Sequence, residues 1–324
     1  MPATLLLAMG CSDDDEVAGD ATDTTTTIPR PEASTVDEVL ALGRPIVLAH
    51  AGGEDAHPHS TPFGYAESAR AGVDVLDFDV QLTADGVLVV QHDETVDRTT
   101  EGAGRVAEMT YDALHALDNA YWFTETCTCR DQPEDAYLHR GVRTGDRGAP
   151  DGYVADDFAV PRFEDLARQY PDHVLNVEIK GRFPDAVPAA EELARILVEL
   201  DRQDAAVVTS FDDEVTEAFH RAAPDVEITP GLGATTAYVT AGTLPAGGRR
   251  ILQVPPDYEG IEVLNPELVA RTDADGLVLW IWPNEQRWEN EAGYRELLDL
   301  GVEGINAADP AVAVETTRAW VDAA

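Results

Sequence analysis

The alternation of short apolar runs with helical segments from residue 45 onward constrains the fold of this chain more than any other feature. Residues 45–50 form an apolar, partly β-branched run, and residues 65–72, which are rich in helix formers, follow it. Repeated alternation of this kind is typical of parallel α/β architecture. A chain of 324 residues, 44% of them hydrophobic, is long enough to bury one barrel-sized core. The expected fold is therefore α/β, a single (β/α)8 or TIM barrel.

Nine apolar runs are candidates for the eight strand positions of such a barrel. They lie at residues 45–50, 73–80, 87–92, 174–180, 206–211, 226–229, 251–254, 277–282 and 304–305. The surplus predicts that one of the runs near residues 228 and 252 lies outside the barrel. Residues 119–158 interrupt the rhythm, and we expect an inserted loop or small cap over the barrel mouth there.

The N-terminal segment predicts an extracytoplasmic location. Residues 1–11 contain an apolar run that ends in Gly10-Cys11, which resembles a bacterial lipoprotein signal whose cysteine is lipidated; an ordinary cysteine is the alternative. Residues 12–42, rich in acidic residues, threonine and proline, predict a disordered tether. We expect a protein anchored at the cell surface through Cys11, with the catalytic domain in residues 43–324.

The net charge limits the classes of binding partner, and the cysteine content limits the kinds of metal site and disulfide. The 62 acidic and 22 basic residues give a formal net charge of -40, which argues against nucleic acid and anionic membrane surfaces. No protein partner is inferred, and a small-molecule substrate is expected. Cys127 and Cys129 lie too far from other candidate ligands in the sequence to support a zinc site, so an oxidising compartment favours a disulfide between them.

Ionisable residues interrupt or end several of the apolar runs. In a (β/α)8 barrel the active site is assembled at the C-terminal ends of the strands, where these residues lie. Asp77 and Asp79 are two residues apart on one strand, so their side chains point to the same face. With Glu178 from another strand they form an all-oxygen set, which selects one hard divalent cation, Ca²⁺ or Mg²⁺. Solvated surface carboxylates are the alternative interpretation of each acid taken alone.

Three further side chains end apolar strands and suit phosphate chemistry. His50 and His92 would face each other across the metal site as general base and general acid, although a structural role is common for a lone histidine. Lys180 is the only lysine of the chain and could neutralise a phosphate oxygen beside Glu178.

The ordered combination of motifs resembles the glycerophosphodiester phosphodiesterase family, a phospholipase-C-like phosphodiesterase type of barrel, over residues 45–118 and 159–310. The matching motifs are His50-Ala51-Gly52, Ser60-Thr61-Pro62, Asp77-Phe78-Asp79, Thr83-Ala84-Asp85-Gly86, Val89-Val90-Gln91-His92-Asp93, Arg98-Thr99-Thr100 and Glu178-Ile179-Lys180. The resemblance implies His50 and His92 as the acid and base pair, Asp77, Asp79 and Glu178 as metal ligands, Lys180 as a phosphate contact, and Trp280 or Trp282 as the wall of the alcohol side.

The chain departs from the family pattern beside the first histidine. Ala51 stands where the family has an arginine, and His59 or a neighbour holds the position of its glutamate partner. Asp77 replaces a longer glutamate, and residues 306–310 displace an expected acid by one position. These departures bear on substrate preference more than on reaction class.

The resemblance implies metal-dependent hydrolysis of a glycerophosphodiester to an alcohol and sn-glycerol 3-phosphate. One alternative is a phospholipase C/D-like lyase or phosphodiesterase on a lipid substrate, which is disfavoured because no segment looks like a lipid-inserting helix. Another is a non-catalytic lipoprotein that binds polyol phosphates in a degraded site.

Overall fold

The computed structural model describes residues 28–323. Its strands are β1 Ile46–Ala49, β2 Val75–Leu82, β3 Leu88–Val90, β4 Val174–Ile179, β5 Ala206–Thr209, β6 Glu227–Ile228, β7 Ile251–Val254, β8 Asp257–Tyr258, β9 Ile261–Glu262, β10 Val278–Ile281 and β11 Gly304–Ala307. Its helices are α1 Val36–Leu40, α2 Pro62–Ala71, α3 Tyr111–His115, α4 Phe163–Gln169, α5 Val187–Glu199, α6 Asp213–Ala222, α7 Leu232–Ala241, α8 Pro266–Asp275, α9 Glu291–Leu300 and α10 Pro310–Ala323. Short 3₁₀ turns occupy His50–Gly52, Val106–Glu108, Glu134–Ala136, Ala155–Phe158 and Gln203–Ala205.

Eight parallel strands form a nearly closed barrel in the order β6-β5-β4-β2-β1-β11-β10-β7, which confirms the predicted (β/α)8 fold. The prediction that a run near residue 228 or 252 lies outside was wrong, because β6 and β7 are both barrel strands. The ninth run is β3, which pairs antiparallel with β2. The Asp85-Gly86 turn sends the chain directly back along β2, so β3 cannot join a parallel barrel.

The bottom of the barrel is apolar and is closed by α1. Val36 and Val39 of this helix are buried against Ile46, Leu48 and strand residues around them. The helix begins with a capping box, in which the Thr35 hydroxyl accepts from the Glu38 backbone and the Glu38 carboxylate accepts from the Thr35 backbone. The prediction of a disordered tether is therefore wrong for residues 28–42, where two buried valines anchor the chain to the core.

Trp280 belongs to this lower core and does not line the mouth, so the expectation that it contacts substrate was wrong. Its side chain is 1% exposed and packs in the apolar cluster with α1. Gly304 of the adjacent strand leaves the space for the indole, since a Cβ there would lie 2.5 Å from Trp280 Cδ1. Trp282, two residues further along, lines the cavity at the opposite end of the barrel.

The inserted residues 119–158 pack beside the barrel and contribute no residue to the wall of the cavity described below. Phe63 of α2 stacks on Phe158 with ring centroids 4.9 Å apart and lies 4.6 Å from the Tyr153 ring. The segment is therefore held to α2, and it also donates hydrogen bonds to the backbone of His59 and Thr100 without lining the cavity. Cys127 and Cys129 form the disulfide that the sequence favours.

Residues 1–27 and 324 lie outside the described part, and with them the lipoprotein-type segment, Cys11 and the first part of the predicted tether. Among the helices of residues 28–323, none combines the length and the apolar character that a bilayer crossing requires.

Trp280 in β10 and Trp282 just after it provide a matched test of the placement of Trp280 in the lower core. We expect Trp280→Ala to lower the free energy of unfolding by about 3–5 kcal/mol, because it empties a packed site in the lower core. Trp282→Ala removes a partly exposed side chain and should cost clearly less. Urea unfolding of both variants measures the difference, and equal losses would contradict the placement of Trp280.

Candidate active site

A cavity of about 230 Å³ opens at the C-terminal ends of the barrel strands, where active sites of this fold are built. It is lined by residues from all eight barrel strands or the loops that follow them. Six of the eight predicted site residues line it: His50, Asp77, His92, Glu178, Lys180 and Trp282. Asp79 is buried next to Lys180, and Trp280 is the one predicted residue that lies elsewhere.

The register of β2 and β4 stacks the polar side chains in two layers. Asp77 is opposite Asn176, and Asp79 is opposite Glu178 one step closer to the mouth. In the lower layer Asn176 Nδ2 donates to Asp77 Oδ1 at 2.6 Å, and Gln253 Nε2 donates to Asn176 Oδ1 at 2.8 Å. These amides orient the Asp77 carboxylate, and burial raises its pKa although the charge of His50 opposes the shift.

Lys180 lies between the two carboxylates of the upper layer. Its Nζ is 3.3 Å from Asp79 Oδ1 and 3.0 Å from Glu178 Oε1. Burial raises the pKa of Glu178, and Lys180 opposes that effect only in part. Burial also opposes ionisation of Asp79, but the ammonium and the nearby histidines hold the pKa of Asp79 below its usual range. Both acids in turn raise the pKa of Lys180 against its own burial, so the lysine is charged.

The carboxylates suit a hard divalent cation in chemistry, but they do not surround one common point. Among residues 28–323, no three His, Cys, Asp or Glu side chains form a group that could hold a metal ion. Asp79 Oδ2, however, is buried without a hydrogen-bond partner. Asp79 and Glu178 share the Lys180 ammonium, while Asp77 accepts from Asn176 and is influenced by the charge of His50. A divalent cation would add positive charge to this group of carboxylates. The donor set of Asp77, Asp79 and Glu178 therefore fits Ca²⁺ or Mg²⁺.

His92 is oriented by the residue that follows it. Its Nδ1 lies 2.7 Å from Asp93 Oδ1, and because an ionised carboxylate only accepts, Nδ1 carries the proton. Arg98 holds the same carboxylate through Nε at 2.7 Å and a second nitrogen at 3.1 Å. Burial favours neutral His92, but the Asp93 hydrogen bond and the Asp79 charge outweigh it and raise the pKa of His92. The free Nε2 is left for the cavity.

His50 projects from a turn that only an unusual backbone can make. Ala51, Gly52 and Gly53 have φ angles of 47°, 79° and 85°, all in the left-handed region. A Cβ on Gly53 would lie 2.9 Å from the Pro310 ring, so glycine is required there. Strained turns of this kind persist where the surrounding structure holds them, often at functional sites.

Glu54 is a site residue that the sequence analysis missed. Its Oε1 lies 3.2 Å from His50 Nδ1, and its Oε2 lies 3.3 Å from His59 Nε2. Burial favours neutral His50, but the charges of Glu54, Asp77 and Asp79 outweigh it and raise the pKa of His50 to about 9. Its position four residues after His50 was the available signal, obscured by the 62 acids of the chain.

His59 is a buried, neutral neighbour of Glu54. The imidazole is 1% exposed, and burial lowers the pKa of His59 to about 3, so the ring is neutral. Its Nδ1 is 2.8 Å from the Ser60 hydroxyl, which leaves Nε2 as the donor toward Glu54. Glu54 therefore lies between a charged and a neutral imidazole.

Glu289, behind His50, predicts a pH dependence of stability. Burial raises the pKa of Glu289 to about 7 from 4.5, although Tyr294 and the Ala308 backbone donate to it. The folded state therefore holds this proton longer than the unfolded state, and stability is lost as the pH rises from about 4.5 to about 7. We expect a loss of up to about 3 kcal/mol, which Glu289→Gln removes.

Urea unfolding at pH 5 and pH 8 measures this effect. The free energy of unfolding of wild type relative to Glu289→Gln should fall between the two pH values. Parallel behaviour of the two proteins would show that Glu289 titrates normally.

Comparison with known proteins identifies the family. Residues 50–312 match the model of the glycerophosphoryl diester phosphodiesterase family. "Probable glycerophosphodiester phosphodiesterase 1" of Mycobacterium tuberculosis (strain ATCC 25618 / H37Rv) is 32% identical over 88% of this chain and 95% of its own length. The glycerophosphodiester phosphodiesterase of Bacillus subtilis (strain 168) is 27% identical over 84% of this chain and 86% of its own.

Solved structures share the fold. A glycerophosphodiester phosphodiesterase from Agrobacterium tumefaciens str. C58 has a TM-score of 0.59 at 21% identity, covering 83% of this chain and 99% of its own. An Oleispira antarctica phosphodiesterase in complex with the product sn-glycerol-3-phosphate has a TM-score of 0.61 at 17% identity, covering 86% and 99%. With the matched residues and the convergence of the predicted side chains, this chain belongs to the glycerophosphoryl diester phosphodiesterase family.

Proposed function

We propose that this protein hydrolyses glycerophosphodiesters to an alcohol and sn-glycerol 3-phosphate with the help of one divalent cation. The observation that carries the proposal is the convergence of His50, His92 and Lys180 with buried carboxylates in one cavity at the catalytic end of the barrel. The family model and the named relatives support the reaction class. A degraded binding protein gives no reason to retain two oriented histidines.

The two histidines divide the proton transfers. Water attacks phosphorus, one histidine accepts its proton, the bond from phosphorus to the leaving oxygen breaks, and the other histidine protonates that oxygen. His50, whose pKa is raised to about 9, is protonated at neutral pH and is the better donor. His92 offers Nε2 as the acceptor, because Asp93 holds its Nδ1 proton. Glu54 and Asp93 thus serve as positioning residues.

Lys180 would contact the negatively charged phosphoryl group directly, and the three acids would act on it through a bound cation. The Lys180 ammonium lies beside Asp79 and Glu178 and lines the cavity. It can therefore turn from these carboxylates toward an oxygen of a bound phosphate. Asp77, Asp79 and Glu178 would hold the divalent ion. When bound, such an ion polarises a phosphoryl oxygen and stabilises charge that develops during cleavage.

Hydrolysis assays test the reaction class directly. Glycerophosphocholine, glycerophosphoethanolamine and bis(4-nitrophenyl) phosphate are offered with Ca²⁺, Mg²⁺ or a chelator, and the phosphomonoester is measured. We expect activity that the chelator abolishes, and losses of about 10²- to 10⁴-fold in His50→Ala and His92→Ala. Absence of turnover with every diester and both ions would sink the proposal.

A pH profile tests the role of Glu54. Its negative charge raises the pKa of His50 to about 9, so removing the charge lowers that pKa. A protonated His50 is needed for donation, and the alkaline limb of the kcat profile of Glu54→Gln should therefore move to lower pH. Glu164→Gln, a charge removal on α4 outside the cavity, is the control and should keep the wild-type limb. An unshifted limb in Glu54→Gln would exclude Glu54 as the partner of the acid.

The proposed location is extracytoplasmic. The Cys127–Cys129 disulfide supports an oxidising compartment, and the Gly10-Cys11 segment remains the basis for a lipid anchor. Mass spectrometry of the protein from its native membrane fraction would detect a diacylglyceryl group on Cys11.

A further inference from the structure

The wall of the active-site cavity changes character away from the histidines. Its charged lining residues all lie at the catalytic end: His50, Asp77, His92, Glu178 and Lys180. The remainder of the wall comes from α7, the β8–β9 hairpin and the ends of β5, β7 and β10. It is uncharged and consists mostly of apolar side chains and threonines, including Leu232, Thr236, Val239, Tyr258, Ile261 and Val263.

An uncharged stretch of sequence builds much of this wall. Residues 229–248 contain no Asp, Glu, Lys or Arg, although 26% of the whole chain is charged. None of the ten residues of α7 is charged, and only Tyr238 is fully buried. Leu232 and Val239 are half-buried and line the cavity, so this helix offers an uncharged, partly apolar surface to a ligand.

Two apolar side chains of the wall are largely open to solvent. Ile261 at the hairpin is 61% exposed, and Phe211 at the mouth is 41% exposed. A cavity of about 230 Å³ is smaller than most sites for drug-sized ligands, which span roughly 300–1,000 Å³. A ligand with a long apolar part would therefore begin in the cavity and extend over this open surface.

Two aromatic rings join the apolar wall to the charged end. The Phe211 ring centroid lies 6.0 Å from Lys180 Nζ and 5.9 Å from the Trp282 ring centroid. A phosphate held by Lys180 is thus next to the start of the apolar wall. This continuity argues for one amphiphilic ligand with its phosphate at the histidines.

We propose that the preferred substrate is a single-chain amphiphilic glycerophosphodiester, a monoacyl glycerophosphodiester whose hydrocarbon chain lies along α7 and the β8–β9 hairpin. This inference rests on the proposed function and specifies its substrate class; the phosphomonoester released from such a substrate is a monoacylglycerol phosphate instead of sn-glycerol 3-phosphate. A hydrocarbon chain binds through burial of its methylene groups, and this interaction requires neither charged groups nor hydrogen-bond partners in the wall. The uncharged residues 229–248 meet that requirement.

A chain-length series tests the inference. Glycerophosphocholine is compared with its monobutanoyl, monohexanoyl and monooctanoyl esters, all kept below their micellar concentrations. We expect kcat/KM to rise about twofold to fourfold with each added methylene until the chain leaves the surface. Cleavage of glycerophosphocholine with no gain along the series would overturn the inference while leaving the proposed function standing.

Substitutions that introduce a charge into the wall test where the hydrocarbon chain of the substrate binds. Ile261→Glu and Thr236→Glu change exposed positions on the wall, and we expect both to flatten the chain-length dependence of kcat/KM. Val198→Glu is the matched control, because Val198 is 49% exposed on α5 and does not line the cavity. The inference fails if the control flattens the series equally, or if neither wall variant does. A dimer that Ile261→Glu dissociates, detected by sedimentation equilibrium, would assign the surface to a second copy and also overturn it.

A binding measurement keeps the inference testable without turnover. If no diester is cleaved, the proposed function fails, and calorimetry with octylphosphonate and methylphosphonate then decides the apolar subsite. Tighter binding of octylphosphonate, weakened in Thr236→Glu, supports the subsite. Equal affinities refute it.

Discussion

The grouping of three carboxylates at one end of the barrel is the constraint on which the rest of the site depends. Asp77 and Glu178 line the cavity, and Asp79 lies opposite Glu178, because β2 and β4 are paired in register. Isolated carboxylates at such depth are costly, and each has a partner that limits the cost. Asn176 donates to Asp77, while Lys180 contacts both Asp79 and Glu178. The only lysine of the chain is therefore placed where positive charge is most needed.

The negative charge of these carboxylates also affects the pKa values of the nearby histidines. Negative charge from the carboxylates raises the pKa of His50 and of His92, against the effect of burial. Glu54 adds to this shift at His50, and Asp93 adds to it at His92 and orients that imidazole through a hydrogen bond. His59, in contrast, stays neutral because its burial outweighs the charge of Glu54. The two histidines that we propose as proton donor and acceptor thus have raised pKa values, whereas the pKa of His59 is lowered.

Much of this arrangement could be predicted from the sequence, because apolar strands that end in ionisable residues leave a clear pattern. The eight parallel strands and the convergence of His50, His92 and Lys180 follow from that pattern. The roles of β3 and Trp280 could not be predicted by counting apolar runs. A hairpin strand and a barrel strand are equally apolar, and residues 280 and 282 have the same side-chain parity, so only depth along the barrel distinguishes the two tryptophans.

Loop residues were harder to predict, for a different reason. Glu54 belongs to the site because the left-handed turn at Ala51–Gly53 folds the chain back toward His50, and backbone of that kind has no periodic signal. The helix α1 was hidden by its polar surroundings, since two valines suffice to anchor it. The apolar wall around α7 was likewise missed, because an uncharged helix in a barrel resembles ordinary core until its exposure is known.

The central proposal is that the carboxylates of the mouth bind a divalent cation in addition to Lys180. Titration calorimetry of chelator-stripped protein with Ca²⁺ or Mg²⁺ at about 1 M NaCl, where surface charges are largely screened, tests it most directly. The account predicts one binding site per chain that Asp79→Asn abolishes and that Asp172→Asn, a surface substitution, preserves. Absence of a site, or a site indifferent to Asp79→Asn, would contradict it.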